Sequence, residues 1–251
     1  MEEALLRTEG LTKEFAGFQA VSSVNFSVRR GTIHALIGPN GAGKTTLFNL
    51  LTKFLQPTAG RIFFKGRDIT AEKPAIVSRL GIVRSFQISA VFPHLTVRQN
   101  IQIALQRQTD VSFKFWKHES CLDRLDARTV ELAASLGLSS ALDTSALELP
   151  YGRRRALEIA TTLALDPDLM LLDEPTSGLA HEDIPQVVGI IKDVARSRTV
   201  VMVEHNLSVV AELADTITVL TRGQILVEGS YAEISRHPDV REAYLGAERG
   251  H

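Results

Sequence analysis

A chain of 251 residues, 44% hydrophobic and 23% charged, is long enough to bury a sizeable core and ordinary enough in composition to be globular. A net charge of -1 gives no sign of a nucleic-acid partner, and the longest apolar runs, such as Met170-Leu171-Leu172 and Val200 to Val203, fall far short of the roughly 20 residues that span a bilayer. One cysteine, Cys121, excludes an internal disulfide and fits a reducing compartment, and no basic-then-apolar leader opens the sequence, so a cytosolic protein with at most a peripheral membrane role is expected.

The N-terminal portion reads as β-rich. Alternation in Val24-Asn25-Phe26-Ser27-Val28 and the run Ile62-Phe63-Phe64 predict strands flanking a short buried one, Ile33 to Ile37. That strand leads into Gly38-Pro39-Asn40-Gly41-Ala42-Gly43-Lys44-Thr45-Thr46, which satisfies G-x-x-x-x-G-K-T, the phosphate-binding loop. The chemistry dictates the residue types. Glycines let bare backbone NH groups turn onto phosphates, Lys44 adds a point charge, and Thr45 offers a hydroxyl to Mg2+. Leu47, Leu50, Leu51 and Phe54 at i, i+3, i+4 and i+7 predict a helix directly after the loop. Its unsatisfied NH groups and positive dipole end then join the phosphate site.

From about Thr96 to Leu147 the pattern is helical and charged, with Val97, Ile101 and Leu105 on one face and Val130, Leu132, Ala133 and Leu136 on another. Just before it, Ile88, Ala90, Val91, Phe92, Pro93 and Leu95 form a stretch too apolar for a solvated loop. It reads as a surface for a partner's helix, the alternative being that Phe92 and Leu95 pack on the helix that follows. Arg153-Arg154-Arg155 opens a further helix with apolar positions Ala156, Ile159, Ala160 and Leu163. Three cations at a helix N-terminus each oppose the dipole by roughly 0.3 to 1 kcal/mol. Anionic compensation is therefore expected, from Glu148 and Glu158 or from a phosphate that Arg153 reaches.

Short strands resume at Leu169 to Leu172, Thr199 to Val203, Thr216 to Leu220 and Gln224 to Val227, which makes an α/β core interrupted by a helical insertion. The strand at 169 ends in Asp173-Glu174, at the carboxyl edge where α/β sheets bind ligands. Asp173 is placed to hold Mg2+ through water and Glu174 to polarise an attacking water. The adjacent Glu favours hydrolysis over transfer to an acceptor.

With both halves of a phosphate site present, the chain resembles the ATP-binding cassette (ABC) ATPases over essentially its whole length. Arg84-Ser85-Phe86-Gln87 is similar to the family's glutamine loop, and Leu149-Pro150-Tyr151-Gly152-Arg153 occupies the place of its signature. Ser177 to Ala180 resembles the D-loop and Glu204-His205 the switch histidine, while Phe15 lies where the family stacks an aromatic on adenine. The resemblance implies an α/β, RecA-like P-loop core with an N-terminal β-rich subdomain and a helical subdomain inserted at roughly 88–164, the whole of 1–251 being one nucleotide-binding domain. It implies ATP and Mg2+ as cofactors. Glu174, His205 and Gln87 are the implied catalytic residues, with His205 on the γ-phosphate, and Thr45, Gln87 and Asp173 the implied metal site. Phe15, Gly38, Asn40, Gly41, Gly43, Lys44, Thr45 and Thr46 would contact nucleotide in this chain, and Tyr151, Gly152 and Arg153 that of a second cassette closed head to tail on it.

Within the family, Leu11 to Phe18, the tyrosine in the signature, Glu204-His205-Asn206 and the tail Tyr244-Leu245-Gly246 resemble ATPase subunits of branched-chain amino acid importers. That resemblance implies two membrane permease subunits, indirectly a periplasmic binding protein, and a position on the inner face of the cell membrane. Urea, amide and lipopolysaccharide transport ATPases are alternatives, as are a soluble ABC ATPase without a membrane partner and a regulatory module that does not hydrolyse. Two positions depart from the pattern. Pro150 supplies neither hydroxyl nor NH in the signature, and Ala180 stands where the D-loop ends in Asp. Intact catalytic residues beside altered donated ones point to a heterodimer with a second cassette and two unequal sites.

Overall fold

The computed structural model of the chain describes residues 4–85, 91–107 and 119–242, those at 119–124 by backbone alone. Strands β4 (Ile33–Ile37), β8 (Leu169–Asp173) and β9 (Thr199–Val203) are buried at every position. They lie inside a six-stranded sheet in the order β11-β10-β4-β9-β8-β7, completed by β7 (Ile82–Ser85), β10 (Thr216–Thr221) and β11 (Gln224–Gly229). All pairings are parallel except β10 with β11. Both faces are covered, so these strands read as continuous apolar runs rather than as alternation. Ile33, Ala35 and Ile37 join Met170, Leu172, Val200 and Met202 in a core against the helices, while Leu36 joins Leu169, Leu171, Val201 and Val203 in a second core on the opposite face.

That second core is closed by a smaller antiparallel sheet, β2-β1-β5-β6 with β3 paired to β1. Its strands are β1 (Ala4–Phe15), β2 (Phe18–Val24), β3 (Ser27–Arg29), β5 (Ala59–Phe64) and β6 (Arg67–Asp68). The expected single strand over Val24 to Val28 is broken: β2 ends at Val24 and β3 begins at Ser27, while Phe26 is fully buried and its NH bonds to the Thr8 hydroxyl. Two-residue turn geometry joins β1 to β2, with Ala16 at φ 47 and Gly17 at φ 87, the twist that suits a hairpin.

Helix α1 (Lys44–Leu51) starts at the phosphate loop and stops early, so Leu47, Leu50 and Leu51 are buried while Phe54 lies beyond it and is exposed. A short α2 (Pro74–Leu80) precedes β7. Between β7 and β8 come α3 (Val97–Gln106), α4 (Glu119–Ser135) and α5 (Tyr151–Leu163). Val97, Ile101 and Leu105 share the buried face of α3, and Leu132, Ala133 and Leu136 are buried, but Val130 turns to solvent. Thr96 and Gln99 make a reciprocal capping box that fixes where α3 begins. Helices α6 (Ile184–Ala195), α7 (Leu207–Leu213) and α8 (Tyr231–Ile234) follow in the C-terminal third. Among the described residues no helix is long and apolar enough to cross a membrane.

Candidate functional site

The carboxyl ends of adjacent strands β4, β9 and β8 deliver the phosphate loop, Glu204-His205 and Asp173-Glu174 to one edge. Gly43 is the N-cap of α1 with φ 102, and the first turn of that helix contains no acidic residue. A positive helix end with no internal anion and no side-chain cap suits an anionic ligand such as phosphate. The glycines of the loop divide by role. A Cβ at Gly38 would lie 2.1 Å from the Leu220 carbonyl oxygen of β10, and one at Gly43 2.4 Å from the Ala20 carbonyl oxygen of β2. Those two are glycine because the loop is pressed against neighbouring backbone. Gly41, at φ 78, faces open space.

Lys44 is buried, and its ammonium donates to the Gly38 and Pro39 carbonyls at 2.6 and 3.0 Å. Burial lowers its pKa, opposed by the charges of Glu174 and Asp173, so the lysine sits in the field of both carboxylates. Thr45 and Asn40 are exposed and Thr46 half-buried.

The two carboxylates differ. Asp173 is buried and ion-paired to Arg84 of β7, whose other amino group donates to Asn49 of α1 at 2.5 Å. The residue read as a metal ligand is thus also a strut between β7, β8 and the phosphate-loop helix. Glu174 has a left-handed backbone, φ 47, and its carboxylate lies 2.7 Å from Nε2 of His205. His205 therefore emerges at the same edge as Glu174, as the strand pattern predicts, and in this structure it bonds that carboxylate. Among the described residues no group of three or more His, Cys, Asp or Glu could hold a metal. The available donors are hard oxygens, the Thr45 hydroxyl and the Asp173 carboxylate, a set that suits a cation keeping its waters and phosphate ligands, as Mg2+ does. Gln87 lies outside the described residues, as do Ile88, Ala90 and the tail from 243 onward.

Phe15 ends β1, is 43% exposed and stacks under the Lys13 ammonium at 5.0 Å; its cross-strand partner Phe18 is 68% exposed. The hairpin is anchored beside the loop, since the Ser22 NH bonds the Gly223 carbonyl and Gly223 in turn donates to Ala42. On α5, Pro150 is an N-cap without a side-chain cap bond. Tyr151 is exposed with its hydroxyl 3.4 Å from the Ser177 carbonyl, Gly152 is buried against Asp183, and Arg153 is exposed. Of the three arginines, Arg154 donates to the Leu147 and Leu149 carbonyls, and Arg155 turns inward to Glu158.

Residues that the sequence places in motifs without giving them a catalytic or binding role carry much of the scaffolding. Glu204, buried, accepts from the NH and hydroxyl of Thr176 at 2.8 and 2.7 Å and from the His205 NH at 3.0 Å. It ties the segment after Glu174 to the histidine. The signal was present: an acid ending the apolar run Val200 to Val203 repeats the pattern of Leu169 to Asp173. Arg84 gives no comparable signal, while the pairing of Arg155 with Glu158 is one the charge pattern of the arginine run predicts, though not its contacts to the Glu174 turn.

Residues 21–177 match the family model described as ABC transporter, and residues 224–249 match one described as branched-chain amino acid ATP-binding cassette transporter. The chain is 35% identical to the high-affinity branched-chain amino acid transport ATP-binding protein BraF of Pseudomonas aeruginosa, across 98% of this chain and 99% of the relative. It is 34% identical to the corresponding protein LivG of Escherichia coli, with the same coverage. Among solved structures it is similar to the ADP conformation of MJ1267, an ATP-binding cassette of an ABC transporter, at 32% identity and a TM-score of 0.86 over 97% of this chain and 99% of that one. A nucleotide-free cassette from an ABC transporter gives 31% identity and a TM-score of 0.84, covering 96% and 99%.

Proposed function

This chain belongs to the ABC transporter family, and we propose that within it the protein is the ATP-hydrolysing subunit of an importer for branched-chain or related amino acids. The observation that carries the chemistry is one edge holding four groups, a buried Lys44 in the field of the Asp173 and Glu174 carboxylates, and His205 hydrogen-bonded to Glu174 at 2.7 Å. Lys44 and the NH groups opening α1 bind and orient the phosphates. Glu174 accepts a proton from the attacking water, and His205 holds that carboxylate and reaches toward the terminal phosphate. Thr45 and Asp173, with Gln87, hold Mg2+, which when bound neutralises charge on the phosphates. Phe15 stacks on adenine. Residues 88–164 form the helical subdomain of a single nucleotide-binding domain.

Replacing Glu174 by Gln should retain ATP binding and lower turnover by about 10^2 to 10^4, the usual worth of a general base. Lys44→Ala should instead weaken nucleotide binding. Normal turnover by Glu174→Gln in the assembled complex refutes the assignment.

The membrane partners rest on a groove of about 550 Å³ lined by Phe54, Phe92, Ile103 and Ala104, between the phosphate-loop side of the core and α3. Phe92 and Ile103 are exposed there, and Asn100 ties the loop backbone at Phe92, Leu95 and Thr96. We infer that a cytoplasmic helix of one permease subunit docks in this groove, placing the protein on the inner membrane face, with a periplasmic binding protein feeding the two permeases. Exposed Tyr151 and Arg153, with Pro150 and Ala180 altered, support a heterodimer in which this chain donates the weaker contacts. Brisk cooperative hydrolysis by the homodimer, unimproved by any second cassette, would overturn that pairing.

A further inference from the structure

Arg155 is the most heavily engaged of the cations near the site. Its guanidinium donates to three successive carbonyls, Asp173 at 3.0 Å, Glu174 at 2.8 Å and Pro175 at 3.0 Å, and pairs with Glu158 at 2.6 Å. Both side chains of the pair are about nine-tenths buried. The carbonyls belong to the turn in which Glu174 adopts φ 47, a left-handed conformation that disfavours any residue bearing a side chain. Such a conformation persists only where surroundings over-determine it. The Glu174 NH is fixed by the Val203 carbonyl at 2.9 Å, and its carbonyl side is fixed by Arg155. Tyr151, one turn earlier on the same face of α5, touches the far end of the segment: its hydroxyl bonds the Ser177 carbonyl, and a Cβ at Gly178 would come within 3.2 Å of it.

We propose that Arg155 is a positioning residue for Glu174, and that through it the seating of α5 sets the aim of the catalytic carboxylate. The inference rests on the reading of Glu174 as the water-activating group. It adds a consequence: Tyr151 and Arg153, the exposed residues of the first turn of α5, share a rigid helix with the clamp. Contact made there by a second cassette's nucleotide is then felt at this chain's own Glu174, so the occupancy of one site governs hydrolysis at the other. A guanidinium is needed because its planar fork serves several acceptors at once, whereas a lysine ammonium is a single point with three donors.

The test uses the protein assembled with its partners. Arg155→Lys should keep the affinity for a fluorescent ATP analogue within about twofold while kcat falls ten- to a hundredfold, about the loss a misplaced group produces, and ATP dependence loses cooperativity. Glu158→Gln keeps an acceptor for Arg155 and leaves the three carbonyl contacts, so it should lower thermal stability with little change in kcat or cooperativity. The charge-neutral double variant Arg155→Gln with Glu158→Gln should reproduce the kcat loss without leaving a buried charge unpaired. Wild-type kcat and cooperativity in Arg155→Lys, an equal kcat loss in Glu158→Gln, or failure of both Arg155 variants to fold would overturn the proposal by reducing the residue to a structural one. An active Glu174→Gln protein would show that the underlying reading of Glu174 had failed instead.

Discussion

The division of labour among the loop glycines makes a sharp experiment. In Gly38→Ala the added methyl begins 2.1 Å from the Leu220 carbonyl oxygen, where ordinary contact starts at 3.4 Å, so loop or strand must retreat by about 1.3 Å. The atom in the way is backbone of β10, itself hydrogen-bonded into the sheet beside β4, and no side chain can swing aside to relieve it. Overpacking of this kind costs about 1 to 3 kcal/mol. Gly38 also has φ 151, outside the range a side chain favours, which adds about 1 to 3 kcal/mol. Together roughly 2 to 6 kcal/mol is a large part of a domain's net stability of about 5 to 15 kcal/mol. Gly41→Ala meets nothing within 4 Å and carries only the strain of φ 78, about 1 to 2 kcal/mol. Urea denaturation should therefore rank Gly38→Ala well below Gly41→Ala. Fluorescence titration should show the folded Gly41→Ala protein binding ATP weakly, because the added methyl meets no protein atom and occupies open space beside the loop whose backbone is expected to hold phosphate. Equal stabilities, within about 0.5 kcal/mol, would refute the claim that Gly38 is fixed by the sheet rather than by the ligand.

Three further outcomes are expected. His34, buried in β4, bonds the Thr218 hydroxyl at 2.7 Å, and that hydroxyl donates to Glu228; burial first and Arg29 second push its pKa down to about 4. Between pH 6.5 and about 4 the unfolded chain binds this proton and the folded chain does not, so its contribution is complete above pH 6.5 and lost on acidification, about 3 kcal/mol in all. His34→Asn should flatten the pH dependence of urea stability across that window, and an unchanged slope would contradict it. Phe92→Asp should leave the isolated subunit folded, since Phe92 is 52% exposed, but detach it from permease-containing membranes; retained association in a sedimentation assay counts against the groove. Glu204→Gln keeps one carbonyl acceptor for the Thr176 NH or hydroxyl but loses charge-assisted bonds, each worth about 1.5 to 3 kcal/mol, so Tm and turnover should fall together, and a change in neither would show Glu204 to be a bystander.

How legible the molecule was depended on the range of the interactions involved. Ile33 to Lys44 announces strand, loop and helix because every constraint acts within a dozen residues, and β8 and β9 stand out because burial on both faces leaves them wholly apolar. Strand β1 did not stand out. Its twelve residues contain two glutamates, a lysine and an arginine, its pairing with β2 shifts register twice, and Gly10 sits at φ 55, so no clean alternation survives. Strand β7 has four residues, one of them an arginine whose counter-charge lies 89 positions away at Asp173.

The arginine run has one partner that its sequence announces, Glu158 paired with Arg155, and others that it does not. Consecutive residues on a helix point about 100° apart, so three arginines in a row cannot share an environment. At this helix the geometry sends Arg153 to solvent, Arg154 to the Leu147 and Leu149 carbonyls, and Arg155 to Glu158 and the Glu174 turn. The unfavourable meeting of cations with a positive helix end is met mostly by carbonyl oxygens, which no count of acidic residues can reveal. The residue best placed to reach another molecule and the residue best placed to steer catalysis are therefore two positions apart in sequence and on different faces of α5. Identical chemistry in the sequence acquires separate tasks only when the fold says which face is inside.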